Sequence, residues 1–245
     1  KYPLPMFVNT WLHQPGQKMG EWLHGGPLPY VFDMWLAGAP HLDFLTPDIY
    51  APNFSEWCQL YTRRGNPLFI PEMRPDEIGA RNIFYAIGQH NAIGTSPFAV
   101  DSIEQPENAH LSRTYAFLKQ LAPLILEHQG RNATVGILLD KEHPSFTWQT
   151  EQYELEIALD KIWGISTEFA YGLVIALNAD TFIGVGCGFG VSFRPTTSGP
   201  ALAGLSAVDE GRYEAGKWLP GRRLNGDETD QGRKWRFSSL GISIQ

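Results

Sequence analysis

Between residues 3 and 128 a short apolar run gives way to a helical pattern four times over, and each run ends in polar or aromatic groups. Met6-Phe7-Val8 leads to Asn9, Thr10 and Trp11, and the stretch from Leu42 to Ile49 leads to Tyr50. Leu68-Phe69-Ile70, opened by the turn Gly65-Asn66-Pro67, closes on the lone carboxylate Glu72, and Asn91 to Phe98 carries Thr95 and Ser96. The first intervening segment, 30–39, reads as a short helix. The second, from Asn53, places Phe54, Trp57, Leu60 and Tyr61 on one helical face and stops at Gly65. The third, Asp76 to His90, turns Ile78, Ile83, Phe84 and Ile87 inward, and the fourth runs from about Pro106 to Glu127 with a kink expected at Pro123. Alternation of this kind predicts a parallel sheet, with chemistry expected along the rim made by the carboxyl ends of its strands. A plain alternative exists for Glu72, which precedes a helix and would favour that helix's positive end.

After Gly130 the texture changes. Thr134–Leu139, Gln152–Leu159, Leu173–Leu177, Thr181–Val185 and Val191–Phe193, with Arg212-Tyr213, Lys217–Leu219 and Leu240–Ile244 in the tail, are short strand patterns separated by turn residues, which predicts a β-sandwich. The expected architecture is α/β plus β, with one domain over 1–130 and a second over 131–245. The polar segment Asp209–Gly232 reads as a solvated loop, and the Gly- and Pro-rich stretch 13–29, with Trp22 and His24, as a long loop near the rim.

Composition narrows the function. A net charge of −7 and the absence of Lys/Arg clusters argue against a nucleic-acid partner. Cys58 and Cys187 are the only cysteines, neither lies in a C-x-x-C pair, and the seven histidines show no metal-ligand spacing, so no metal and no cofactor are expected. No apolar run is long enough to span a membrane. No G-x-G-x-x-G or P-loop follows a strand, which removes a doubly wound nucleotide-binding reading. Eight Trp and nine Tyr supply flat apolar faces of the kind that stack on sugar rings.

Phe7-Val-Asn-Thr-Trp11, Pro47-Asp-Ile-Tyr-Ala-Pro-Asn-Phe54, Gly65-Asn-Pro-Leu-Phe-Ile-Pro-Glu72 and Phe84 to Phe98, in this order and spacing, resemble glycoside hydrolase family 35. The nearest likeness is to its bacterial β-galactosidase branch, and Trp218 to Glu228 resembles the C-terminal domain of that branch. The resemblance implies a (β/α)8 TIM barrel that cleaves non-reducing-end β-galactosides with retention. It makes this chain the C-terminal half of that barrel, strands five to eight, followed by the β-sandwich domain.

Within that likeness Glu72 maps to the nucleophile at the end of strand seven, and Tyr50 to the tyrosine that hydrogen-bonds it. Asn9 and Trp11 end strand five, where they either face the sugar or pack the rim, and Ser96 ends strand eight. The family's acid/base, a Glu after Asn on strand four, has no counterpart here, since the chain contains no Asn-Glu pair. Of the other acids in this part, Glu21, Asp33, Asp43, Asp48 and Asp101, none maps to strand four; Asp48, just before Tyr50 on strand six, is the least implausible substitute, and a bond to a sugar hydroxyl or a backbone N–H suits it better than proton donation. The implied partners are a β-galactoside oligosaccharide and a complementary N-terminal polypeptide that completes the barrel and brings the acid/base. A substrate of plant polysaccharide origin implies a periplasmic or secreted location. The competing expectation is a non-catalytic carbohydrate-binding or structural fragment.

Overall fold

The computed structural model describes residues 3–18, 20–21, 25–162, 165–197, 199 and 202–245. Trp22 and His24 lie outside the described residues. The fold is mixed α/β followed by β, in two compact units, Lys1–Leu111 and Ser112–Gln245.

The first unit alternates β1 (Phe7–Trp11), α1 (Phe32–Gly38), β2 (Phe44–Ile49), α2 (Phe54–Tyr61), β3 (Phe69–Met73), α3 (Glu77–His90) and β4 (Gly94–Pro97). The strands form one four-stranded sheet in the order β1-β2-β3-β4, parallel at each pairing. Along one face, Phe7, Phe44 and Phe69 form an aromatic layer with ring centroids 5.1–6.1 Å apart. Asn9 and Thr46 come next toward the carboxyl ends, followed by Trp11 opposite Asp48. On β2 every residue is buried, and α2 packs against this strand with Trp57, Cys58 and Tyr61.

The turn before β3 shows how the register is set. Gly65 takes the left-handed conformation (φ +81°) that frees Asn66 to turn inward. The buried Asn66 amide then accepts from Leu45 N–H (2.8 Å) and donates to the carbonyls of Leu45 (3.1 Å) and Tyr61 (2.9 Å). One side chain thereby joins the start of β2, the end of α2 and the approach to β3.

Helix α3 follows with Asp76 as its N-cap, accepting from Gly79 N–H at 3.2 Å. A Cβ at Gly79 would lie 1.8 Å from the Arg74 carbonyl oxygen, so only glycine fits. Ile83 and Phe84 are buried as expected, together with Ala80, whereas Ile78, also expected inward, is 45% exposed. The helix ends at Asn91, in the left-handed conformation.

The second unit takes in nearly all of α4 (His110–His128), dividing from the first within the first turn of this helix, after Leu111, whereas the sequence places the division at residue 130. Gln120 of α4 accepts from the backbone N–H of Tyr213 (3.2 Å), and Leu118, Leu121 and Leu124 are buried. The helix continues through Pro123.

Next come β5 (Thr134–Asp140), β6 (Ser145–Gln149), β7 (Tyr153–Leu159), β8 (Lys161–Ile162), β9 (Ile165–Ser166), β10 (Phe169–Ala176), β11 (Phe182–Cys187) and β12 (Phe189–Pro195). The chain closes with β13 (Asp209–Glu214), β14 (Lys217–Arg223), β15 (Lys234–Phe237) and β16 (Gly241–Ile244). A six-stranded antiparallel sheet, β14-β13-β16-β11-β10-β5, and a four-stranded one, β15-β12-β7-β6, share one apolar core. Val135, Ile137 and Leu139 of the larger sheet meet Leu155, Ile157, Phe189, Val191, Trp235 and Phe237 of the smaller. Gly184 leaves room for the aromatic layer, since a Cβ there would stand 2.7 Å from the Phe237 ring. The Trp235 indole N–H is satisfied by Ser243 Oγ at 2.6 Å.

Asp209–Gly232 is not a loop throughout. Its first part is the β13–β14 hairpin, closed by Ala215 and Gly216, both at positive φ as a tight two-residue turn requires. Arg223 grips Asp209 with two hydrogen bonds (2.8 and 3.0 Å), and Arg222 donates to Glu210 (2.9 Å) across the pair. The charges that suggest a solvated loop are cross-strand partners.

Candidate active site

The parallel sheet gathers the sequence-predicted residues at the carboxyl ends of its strands. Trp11 stands opposite Asp48, and Asp48 opposite Glu72. Between β3 and β4 the register shifts, pairing Ile70 with Thr95 and Met73 with Pro97, so that Pro71 and Glu72 together oppose Ser96. Such a bulge interrupts the strict alternation of side chains. That is how Phe69, in the aromatic layer, and Glu72, at the rim, serve the same face of β3.

Glu72 Oε1 accepts a hydrogen bond from the Tyr50 hydroxyl at 2.7 Å. Tyr50 in turn stacks on Trp11, with centroids 5.4 Å apart and planes 30° from parallel. Trp11 is 40% exposed. Asn9 Nδ2 donates to both oxygens of Asp48, at 3.0 and 2.8 Å. Glu72, Tyr50 and Trp11 are thus joined in one chain of contacts and Asn9 with Asp48 in a second beside it. Ser96 is placed next to Glu72 by the bulge, but among the described residues no hydrogen bond links it to the other five. Thr10, buried between Asn9 and Trp11, ties the incoming loop to the rim by donating to the Gly25 carbonyl at 2.7 Å. Gly26, at φ +85°, has no space for a Cβ, which would lie 2.5 Å from Thr10 Oγ1.

The helix-end role weighed for Glu72 falls to another acid. Asp76 caps α3 and forms an ion pair with Arg74. Glu72 ends its strand against a phenol instead.

The electrostatics separate the two carboxylates. Asp48 is 5% exposed. Burial pushes its carboxyl up to about 6; the Asn9 hydrogen bond pulls the other way, and the neighbouring Glu72 charge adds to the rise. Burial, the hydrogen bond to Glu72 and the charges of Glu72 and Asp48 push the Tyr50 phenol upward, so it remains a proton-bearing donor at neutral pH. Asp48 is the residue that pattern reading undervalued. Its one signal was the spacing Asp48-Ile49-Tyr50 at a strand end.

Among the described residues no three His, Cys, Asp or Glu side chains cluster where they would hold a metal ion. No helix among them is long and apolar enough to cross a membrane.

Residues 111–236, more than half of the chain, match the family model described as a domain of unknown function, DUF5597. The chain belongs to the DUF5597 family. No curated protein matches it. The DUF5597 segment covers most of the second unit, including the β13–β14 hairpin and the Trp235 core, and leaves Asn9, Trp11, Asp48, Tyr50, Glu72 and Ser96 outside the match.

Proposed function

We propose that this chain carries the nucleophile half of a retaining glycoside hydrolase of the β-galactosidase type, with Glu72 as the attacking carboxylate. The observation that carries this reading is the 2.7 Å hydrogen bond from the Tyr50 hydroxyl to Glu72 Oε1 at the carboxyl end of a parallel sheet. It occupies one carboxylate oxygen and leaves Oε2 for the anomeric carbon. In the first displacement Glu72 forms an ester to that carbon as the bond to the leaving oxygen breaks, with a general acid protonating the departing group. In the second, the same acid, now a base, takes a proton from water, which attacks the anomeric carbon and releases Glu72. Tyr50 stabilises the carboxylate as it regains its charge.

The general acid is a separate group. Asp48 has both oxygens engaged by Asn9 and is buried beside the nucleophile, which suits it to holding other groups in place. The acid belongs to the complementary polypeptide that completes a (β/α)8 barrel of which β1 to β4 form half. The exposed Phe7 and the aromatic layer on the same sheet face support that completion, because they form an apolar surface that a second half would cover. A rim holding Glu72 and Asp48, with Arg74 already paired to Asp76, favours a neutral saccharide over a sugar acid. Asn9 and Ser96 are placed to meet its hydroxyls. Such a substrate fits a periplasmic or secreted enzyme.

A non-catalytic carbohydrate-binding role also draws support from the exposed Trp11 face stacked on Tyr50. The two readings separate on Glu72→Gln in the complete enzyme. Loss of nitrophenyl galactoside turnover with the fold retained, and labelling of Glu72 by a 2-fluoro sugar, are the expected results. Wild-type rates in that variant, or a label on another residue, refute the nucleophile assignment.

A further inference from the structure

The amide of Asn9 has a fixed direction, and Asp48 sets it. Both Asp48 oxygens accept from the same nitrogen, Asn9 Nδ2, so the Asn9 amide edge facing Asp48 is the NH2 edge. An ionised carboxylate is an acceptor only, and it rejects the flipped amide, which would set Oδ1 against its charge. Asn9 Oδ1 is therefore turned away from Asp48 on an exposed residue, and among the described residues no donor reaches it. The ring pair Trp11 and Tyr50 stands beside it, with Tyr50 leading on to Glu72.

We propose that Asp48 is a positioning residue that acts through Asn9, holding the Asn9 carbonyl oxygen outward as a hydrogen-bond acceptor for a hydroxyl of the bound saccharide. This rests on the glycosidase reading for the identity of the ligand, though the orientation of the amide does not. The consequence is a site that asks for a hydroxyl donor at that position. A sugar deoxygenated there, or one carrying an ether or a carboxylate, leaves Asn9 Oδ1 unpaired or repelled. Protonation of Asp48 removes the selection. The neutral acid presents an O–H donor, accepts either edge of the amide, and lets Asn9 flip. The titratable groups that face Asp48 are Glu72 on β3, Tyr50 at the end of its own strand and Tyr61 on α2, all acidic. None is a cation that would hold Asp48 ionised below its shifted range, so the switch falls near pH 6.

The test has a structural and a kinetic arm. In the 15N-labelled chain the Asn9 side-chain amide is followed from pH 4.5 to 7.5. A transition with its midpoint near 6, absent in Asp48→Asn, is expected; an amide that does not respond to pH in the wild type overturns the proposal without relying on any variant. In the complete enzyme Asp48→Asn is expected to raise KM about tenfold, the value of one hydrogen bond, with kcat changed less than about threefold. An unchanged KM overturns the proposal as well. If Glu72→Gln keeps its turnover while the amide still titrates, the nucleophile assignment fails and the positioning of Asn9 stands. If Glu72 is labelled but the amide is flat, the reverse holds.

Discussion

Asp48 should make the protein less stable as pH rises, and Asp48→Asn should abolish that loss. Burial holds the carboxyl near 6 in the folded chain against 3.8 for the free group. The folded state therefore keeps the proton over a range where the unfolded chain has released it. Stability is highest below the unfolded value, falls as pH rises from about 3.8 to about 6, and is flat above. Integrated over this shift, the cost of ionised Asp48 is about 0.5 kcal/mol at pH 4 and about 3 kcal/mol at pH 8. Asparagine carries no charge at either pH. Whatever its different hydrogen bonding to Asn9 costs or gains is independent of pH and cancels when the two conditions are compared.

The stability difference between variant and wild type should thus move in favour of the variant by about 2.5 kcal/mol between pH 4 and pH 8. For a unit the size of the first, that is on the order of 10 °C in melting temperature. Calorimetric scans at the two pH values give the comparison, with the transition of the first unit followed separately from that of the second. A difference that changes by less than about 1 kcal/mol shows that water or a rearrangement solvates the carboxylate and that the buried pairing with Asn9 is not maintained. A shift in the opposite direction refutes the desolvation argument outright.

Three further changes probe separate parts of the chain. Tyr50→Phe removes the donor to Glu72 Oε1, a bond to a charged group, and should lower kcat/KM of the complete enzyme about 10- to 100-fold; steady-state kinetics check it, and a loss under twofold argues against a bond that matters in the transition state. Asn66→Ala leaves two carbonyls and the Leu45 N–H without their side-chain partner in a buried turn, and should cost about 2–4 kcal/mol in chemical unfolding of the first unit. Ser243→Ala strands the buried Trp235 indole N–H and should cost about 1–3 kcal/mol, read from the near-ultraviolet signal of the second unit.

The order of strands and helices in the first unit was legible because each element carries its own period. Apolar triplets at Phe7, Leu45 and Ile70 alternate with helix faces at Trp57 and Phe84, and the rim residues fall where the apolar runs stop. The links between them were not legible. Nothing local marks Asn66 as a clamp for Leu45 and Tyr61, or Asn9 as the partner of Asp48, because both are contacts between separate elements. In the second unit the strands with apolar runs stood out, while Ser145–Gln149 and Lys234–Phe237 are short and mostly polar outside Trp148, Trp235 and Phe237. The β13–β14 hairpin was only partly legible for a related reason. Its residues are largely exposed, and the Arg–carboxylate pairs across it look the same in a sequence as solvated charges.

The two acids that flank the β3–α3 junction show why position alone does not assign a role. Glu72 and Asp76 both precede a helix whose N-terminus attracts negative charge. Asp76 accepts from Gly79 N–H and pairs with Arg74, so the helix end is already satisfied and its anion is balanced. A second carboxylate would gain little there. The bulge at Pro71 and Glu72 turns Glu72 to the other side, where its defined partner is the Tyr50 hydroxyl and its charge is felt by Asp48. An acid placed beside another acid and given a single phenol donor is a poor device for holding a fold together. The fold instead accommodates it through Asp76, which relieves Glu72 of the structural task, and through Asn9, which occupies both oxygens of Asp48. That division leaves one carboxylate oxygen at the strand end with no structural duty, which is the condition a nucleophile needs.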